Sequence, residues 1–229
     1  MPLTAGAGEG FYLGAESGVN FVNPQDYKIY GYGGIFGVPD GYPLSNVKFG
    51  TGWMFGLTTG YGFHNGLRPE LELDYRRNQF SRLYRYPVGF FRGSNTDNVG
   101  GFENADSAMA NLWYDFFKSR YIHPYIGGGI GEARIAVRHG RYDSTQLNND
   151  YDTVFAYQGG AGVGFDLGRH WTASLDYRHL EGSASKDSLI QNQPSTHVEF
   201  NYHANSVMFG LRYSFGDDHA PAAPPPEAP

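Results

Sequence analysis

Apolar and polar residues alternate with period two along most of this chain. The sharpest instance is 66–78, GLRPELELDYRRN. Arg68, Glu70, Glu72, Asp74 and Arg76 take every second position there, with Leu67, Pro69, Leu71, Leu73 and Tyr75 between them. That spacing predicts a β-strand with two unlike faces. The pattern recurs at 10–21, where Phe11, Leu13, Ala15, Val19 and Phe21 oppose Tyr12, Gly14, Glu16, Gly18 and Asn20. It recurs at 47–63, with Val47, Phe49, Trp53, Phe55, Leu57, Tyr61 and Phe63 on one face and Lys48, Met54, Thr58 and glycines on the other. Further segments at 107–116, 124–138, 153–167, 171–180 and 204–215 bring the expected strands to eight. The contrast is weakest at 124–138, where Glu132 and Arg134 share a face with Ile126 and Ile130.

The connections alternate in kind. Short turns fall near 64–65, 117–122 and 168–170, the first carrying the hairpin signal HNG. Long polar connections fall near 22–46, 78–103, 139–151 and 181–203. An up-and-down sheet then has all its long loops at one end.

The polar face decides which side is inside. It mixes small residues with the acids Glu16, Glu70, Glu72, Asp74, Asp115, Glu132 and Asp176 and the bases Lys48, Arg68, Arg76, Arg134, Arg178 and Arg212. Arginine dominates over lysine, and arginine–carboxylate pairs suit a confined, poorly hydrated space. The apolar face carries Phe11, Tyr61, Phe63, Tyr114, Phe116, Tyr125, Phe165, Trp171, Tyr213 and Phe215 near the short-turn ends. Rings gathered at one level read as an interfacial girdle. Tilted strands of about ten residues cross a bilayer, and only a closed barrel leaves no unpaired edge in lipid. The expectation is an all-β fold, an eight-stranded antiparallel up-and-down transmembrane β-barrel. Its apolar face meets lipid and its charged face lines a lumen, with long extracellular loops and short periplasmic turns.

Composition agrees. The chain has 229 residues, 33 of them Gly, with 18 Tyr and 17 Phe. Mean hydropathy is −0.47, and no run approaches the roughly 18 apolar residues of a membrane helix. The net charge of −6 argues against nucleic acid as a partner. With no Cys, a disulfide framework and a thiolate site are excluded. The start, MPLTAGAGEG, lacks the basic and apolar regions of a signal peptide. Either the protein is cytosolic or Met1 stands where a signal was removed. The end, GDDHAPAAPPPEAP, reads as an extended linker. The expected organisation is 1–8 as an N-terminal segment, 9–215 as the barrel and 216–229 as the linker.

TGWMFGLTTGYGFHNGLRPELELDYRRN, MANLWYDF, PYIGGGIGEARI, FAYQGGAGVGFDL and LDYRHL resemble the OmpA-like and opacity-like eight-stranded outer-membrane barrels of Gram-negative bacteria, over roughly 9–215. The ending GLRYSF is similar to the family's assembly signal, through Gly210, Tyr213 and Phe215. Opacity-type proteins stop at that Phe, whereas a Pro/Ala-rich linker in OmpA-type proteins leads to a periplasmic peptidoglycan-binding domain. The resemblance implies a bacterial outer-membrane location with the linker in the periplasm. Its implied partners are outer-membrane lipid and lipopolysaccharide, the barrel assembly machinery, and peptidoglycan through a domain absent from this sequence. It implies an anchor for envelope integrity that displays surface loops, with a narrow solute pore and a surface adhesin or receptor as alternatives.

Other motifs carry less. GGGIG (127–131) and GGAGVG (159–164) lack the G-x-G-x-x-G spacing and a following helix. RHLEGS (178–183) places Glu181, not Ser, two residues after His179, unlike the His-x-Ser pair of lipid A deacylase barrels. His197 and His203 share parity, but no third metal ligand is evident. The acidic stretches STQLNNDYD and SKDS read as solvated loops. No catalytic residue, metal ligand or cofactor is expected, so the chain is not expected to be an enzyme.

Overall fold

The computed structural model describes residues 9–30, 39–87, 93–96, 99–117, 121–142, 145–146, 150–187 and 197–216. The N-terminal segment 1–8 and, apart from Gly216, the linker lie outside the described residues. Among the described residues twelve strands follow in chain order: β1 (Gly10–Val22), β2 (Gln25–Tyr30), β3 (Tyr42–Phe49), β4 (Gly52–Gly62), β5 (Leu67–Arg85), β6 (Ser94–Thr96), β7 (Val99–Asp115), β8 (Ile122–Tyr142), β9 (Thr145–Gln146), β10 (Asp150–Asp166), β11 (Trp171–Asp187) and β12 (His197–Ser214). Eight of them pair antiparallel in a closed ring, β1–β4–β5–β7–β8–β10–β11–β12 and back to β1. The fold is an eight-stranded up-and-down barrel.

The strands run further than the sequence pattern predicts. β5 has 19 residues and β8 has 21, whereas about 9–11 tilted residues cross the hydrocarbon. The excess forms a second tier above the bilayer. β1 ends at Val22 and β4 begins at Gly52, while their neighbours continue. The β2–β3 hairpin fills that gap: Lys28, Ile29 and Tyr30 pair with Glu199, Val198 and His197 of β12, and Ser45–Phe49 pairs with Arg85–Phe80 of β5. The expected single strand at 47–63 is therefore two strands, broken at Gly50–Thr51, with a bulge between Lys48 and Phe49.

Short turns close the periplasmic end. In the HNG turn Gly66 N–H donates to the Phe63 carbonyl (3.1 Å) and Leu67 N–H to Asn65 Oδ1 (3.1 Å). Gly66 has φ +91°, and a Cβ there would meet the Asp115 carbonyl oxygen at 2.6 Å, so only glycine fits. Phe215 N–H donates to the Phe11 carbonyl at 2.8 Å, joining the last strand to the first. Pro69 also finds its place. Its side chain is exposed, and it pairs with Leu112 of β7. On the other side the β4–β5 register stops at Gly60↔Glu70 and resumes with Phe63 N–H donating to the Leu67 carbonyl. Pro69 thus stands opposite Tyr61 at the foot of the wall, without a bulge, and its missing N–H interrupts one rung of the ladder.

The outer surface of the lower tier is apolar. Leu71 and Leu73 are each 62% exposed, and Leu57, Leu112, Ile126, Ile130, Leu175 and Phe209 are exposed with them. A water-soluble protein rarely shows so large an apolar patch; a lipid-facing barrel requires one. At its lower edge Phe11 meets Tyr61, Tyr61 meets Phe63, Tyr114 meets Phe116, and Tyr213 meets both Trp171 and Phe215. About ten residues up, β1, β4 and β10 carry a second level of exposed aromatic residues, Phe21, Trp53, Phe155 and Tyr157.

Above this level the polarity of the wall reverses. The inside now holds Val22, Ala105, Met109, Ala133, Ile135, Val154, Ala156, Leu180, Tyr202 and Ala204, all buried and in contact, with Tyr27 and Phe49 packed against them. The outside holds the cross-strand pair Asp106 and Arg134, both exposed. The upper tier is built like a soluble protein, the lower one inside out.

Candidate functional site in the barrel lumen

The lumen of the lower tier is packed with charge. Strand β5 presents Arg68, Glu70, Glu72, Asp74 and Arg76 inward, each at most 5% exposed. Period-two geometry stacks them in layers along the barrel axis. In the lowest layer Arg68 Nε donates to Asp115 Oδ2 (3.1 Å) and Arg68 Nη1 to Glu70 Oε2 (2.9 Å). Tyr12 Oη (2.7 Å) and Trp113 Nε1 (2.8 Å) also donate to Glu70. The Arg68 guanidinium lies 5.0 Å from the Tyr125 ring centroid. Below it, His123 Nε2 sits 3.2 Å from Asp166 Oδ1, which also accepts from Thr172 Oγ1 (2.8 Å).

The middle layer centres on Arg178. Its Nη2 donates to Glu16 Oε1 at 2.8 Å, its Nη1 pairs with Glu72, and the guanidinium lies 4.9 Å from the Trp113 ring centroid. Glu72 also accepts from Asn111 Nδ2 and from Gln158 Nε2 (2.8 Å). One layer higher, Arg76 Nη2 donates to Asp74 Oδ2 (2.9 Å) and Nη1 to Ser107 Oγ (2.8 Å). Above that, Asn20 donates to Asn78 and accepts from Ser206, and the apolar cluster of the upper tier closes the lumen over them. A cavity of about 20 Å³ remains between Glu16, Arg68, Glu70, Tyr125, Arg178 and Arg212, room for about one water. Buried charge of this kind is tolerable because each of Arg68, Arg76 and Arg178 lies against at least one carboxylate.

Most expected lumen residues come together here: Glu16, Arg68, Glu70, Glu72, Asp74, Arg76, Asp115, Asp176 and Arg178 are buried, and half-buried Arg212 stands over the Tyr12 ring. Three do not. Lys48 is exposed on β3, because the break at Gly50–Thr51 and the bulge beside it cancel the parity inferred from β4. Glu132 and Arg134 are exposed on β8 above the bilayer, where the outward face meets water; Arg134 stacks on Tyr151 at 3.9 Å. Tyr125, expected in the girdle, points inward instead. Outward parity on β8 belongs to Ile122, Ile126 and Ile130, so Tyr125 faces the lumen and donates its hydroxyl to Asp176. The other girdle residues, Phe11, Tyr61, Phe63, Tyr114, Phe116, Phe165, Trp171, Tyr213 and Phe215, lie on the outer face near the periplasmic end. Of the assembly-signal residues, Gly210 faces the lumen, while Tyr213 and Phe215 join the girdle.

Glu103, Asp166 and His123 are lumen residues that the sequence reading missed. Glu103 lies beyond the clear alternation and His123 precedes it by one residue, whereas Asp166 keeps polar-face parity at the end of 153–167 but is absent from the expected lumen charges. With them the lumen holds more carboxylates than guanidinium groups. The glycine runs make room: a Cβ on Gly127 would meet Trp113, on Gly129 Asn111, on Gly162 Tyr125 and on Gly164 His123, each within 2.6 Å.

A closed barrel with an apolar belt, aromatic residues at each edge and a charged interior is the structure of a bacterial outer-membrane protein. The family comparison agrees: residues 1–215 match the model of the outer membrane protein beta-barrel domain, and the chain belongs to that family. An uncharacterized protein of Brucella suis biovar 1 is 29% identical over 93% of this chain and 88% of its own length. Outer membrane protein PagN of Salmonella typhimurium is 24% identical, covering 93% of this chain and 92% of its own. Among solved structures, the outer membrane protein OprG from Pseudomonas aeruginosa shares the fold with a TM-score of 0.57 at 15% identity, over 92% of this chain and 99% of that one. The protein is a Gram-negative outer-membrane β-barrel.

Proposed function

We propose that this barrel is a closed, non-conducting anchor that holds an extended wall of strands and loops above the outer membrane. The observation that carries the reading is the double closure of the lumen, by layered ion pairs from Arg68 to Arg76 and by the apolar cluster from Val22 to Tyr202 above them. A solute path would have to break both. The Pro/Ala-rich sequence after Phe215 supports a periplasmic tether to peptidoglycan through a following domain, for envelope integrity. In this reading the partners are lipopolysaccharide and lipid around the belt, and the assembly machinery acting on Gly210, Tyr213 and Phe215.

Planar-bilayer recording of the refolded protein tests the closure. The expected result is no discrete conductance step; reproducible steps would replace the anchor with a pore. The full-length reading frame tests the tether, which requires a peptidoglycan-binding domain after the linker. A pore is the second reading, favoured by the small cavity beside Arg178 and by the carboxylate excess, which would select cations.

A further inference from the structure

The β11–β12 seam carries a chemistry that the lumen does not explain. His179 and Glu181 alternate outward on β11, and on β12 the register sets His203 opposite Glu181 and Asn205 opposite His179. Both rings turn to the same carboxylate oxygen. His179 Nε2 is 2.8 Å and His203 Nδ1 is 3.3 Å from Glu181 Oε1. The three atoms lie within 4.8 Å of one another, whereas ligands on a tetrahedral ion with bonds of about 2.1 Å stand about 3.4 Å apart. The rings stack at 22° with centroids 6.4 Å apart.

The surroundings hold the donors in place. Asn205 Oδ1 lies 2.8 Å from His179 Nδ1 and also accepts from Tyr177 Oη at 2.7 Å, while Asn205 Nδ2 donates to Asn23 Oδ1 at 3.3 Å. The amide is thus oriented with its oxygen toward the imidazole. That contact holds one His179 proton on Nδ1, so the proton that Nε2 shares with Glu181 is the one a bound metal would displace to use the Nε2 lone pair. Tyr157 Oη donates to the other carboxylate oxygen, Glu181 Oε2, leaving Oε1 for the shared centre. A salt bridge would account for one imidazole on a carboxylate; two imidazoles converging on one oxygen, with the far sides of His179 and Glu181 bonded, is the arrangement of a metal site.

The geometry points to a zinc-class divalent cation site formed by His179, Glu181 and His203 on the outer face of the barrel. Two imidazole nitrogens and one carboxylate oxygen suit Zn²⁺, Ni²⁺ or Cu²⁺, and disfavour Ca²⁺ and Mg²⁺, which take all-oxygen shells. The three groups are half-buried and lie about ten residues above the lower girdle, at headgroup level. A fourth position opens outward. Bound metal would clasp β11 to β12 where the wall leaves the bilayer.

The test is titration of tag-free, refolded barrel in detergent micelles with Zn²⁺, followed by calorimetry and by chelator competition, and with Co²⁺ for its visible absorption. One equivalent of Zn²⁺ is expected to bind at micromolar or lower concentration, undisturbed by millimolar Mg²⁺, and Co²⁺ is expected to give the intense bands of a four-coordinate site. His203→Ala should weaken binding by at least 100-fold and Asn205→Ala by about 10-fold, with heat-modifiable gel mobility showing that each variant is folded. Absence of binding at millimolar Zn²⁺ overturns the site. So does binding that survives His203→Ala, which would place the ion on another histidine.

Discussion

Replacing Arg178 by Met tests the layered lumen at its centre. Methionine keeps an unbranched stem but ends where the guanidinium begins, so the change removes the charge and all its contacts at a small loss of volume. Arg178 is 2% exposed and bridges Glu16 and Glu72. Glu72 would keep Asn111 and Gln158, but Glu16 would lose its guanidinium. Removing one partner of a buried pair costs about 3–5 kcal/mol, because the stranded charge has lost both water and counter-charge. Two acids share this arginine, so about 4 kcal/mol is expected, roughly a thousandfold in the folding equilibrium. Reversible urea unfolding in lipid vesicles, followed by tryptophan fluorescence, measures it. Adding Glu16→Gln and Glu72→Gln to the same chain should restore most of the loss, since neutral replacement of a whole buried cluster is often tolerated. A single variant within 1 kcal/mol of the wild type, or a triple variant no better than the single, would refute the view that paired charges hold this layer together.

Leu73→Arg should cost about 2–4 kcal/mol in the same assay, because position 73 faces the bilayer interior; on a water-facing wall it would be nearly silent, and a silent result would return the apolar belt to solvent. Gly66→Ala should destabilise by about 1–3 kcal/mol, since φ +91° and a 2.6 Å approach to Asp115 both exclude a side chain; equal unfolding midpoints would contradict this. Replacing 25–49 by a short turn should leave a folded, heat-modifiable lower barrel, because β1 and β4 pair directly. It should also loosen the upper tier around Tyr27 and Phe49, read as faster amide exchange at Ala105, Ile135 and Tyr202; unchanged exchange would show that the hairpin does not support that tier.

The membrane-spanning part was legible wherever a strand keeps strict period two. On β5 the charged positions from Arg68 to Arg76 all face the lumen; their spacing put them on one face, and the arginine–carboxylate balance with the aromatic girdle turned that face inward. Parity propagates only along an unbroken strand, however. Gly50 and Thr51 sit inside what reads as one continuous run, and nothing in 47–63 distinguishes a passing glycine from a break. Residues 132–134 failed for a different reason. The alternation from Ile126 onward continues, but the medium outside changes from lipid to water, so the same face switches from isoleucine to glutamate and arginine. Period two reports sidedness, not which solvent each side meets. The cluster of His179, Glu181 and His203 needs the β11–β12 register, which joins residues more than 20 positions apart and leaves no local signal.

The reversal of wall polarity above the second aromatic level also fixes how deep the barrel sits. If the molecule sank by two residues, about 6–7 Å along a strand, Arg134 and Asp106 would enter hydrocarbon. If it rose by as much, the leucines and isoleucines of the belt would stand in water. Each displacement is opposed by a different solvation cost, so the molecule has a waterline written into its wall, with the polar side marked on β7 and β8. Tilting is resisted for the same reason, since it would raise one side of the ring and lower the other.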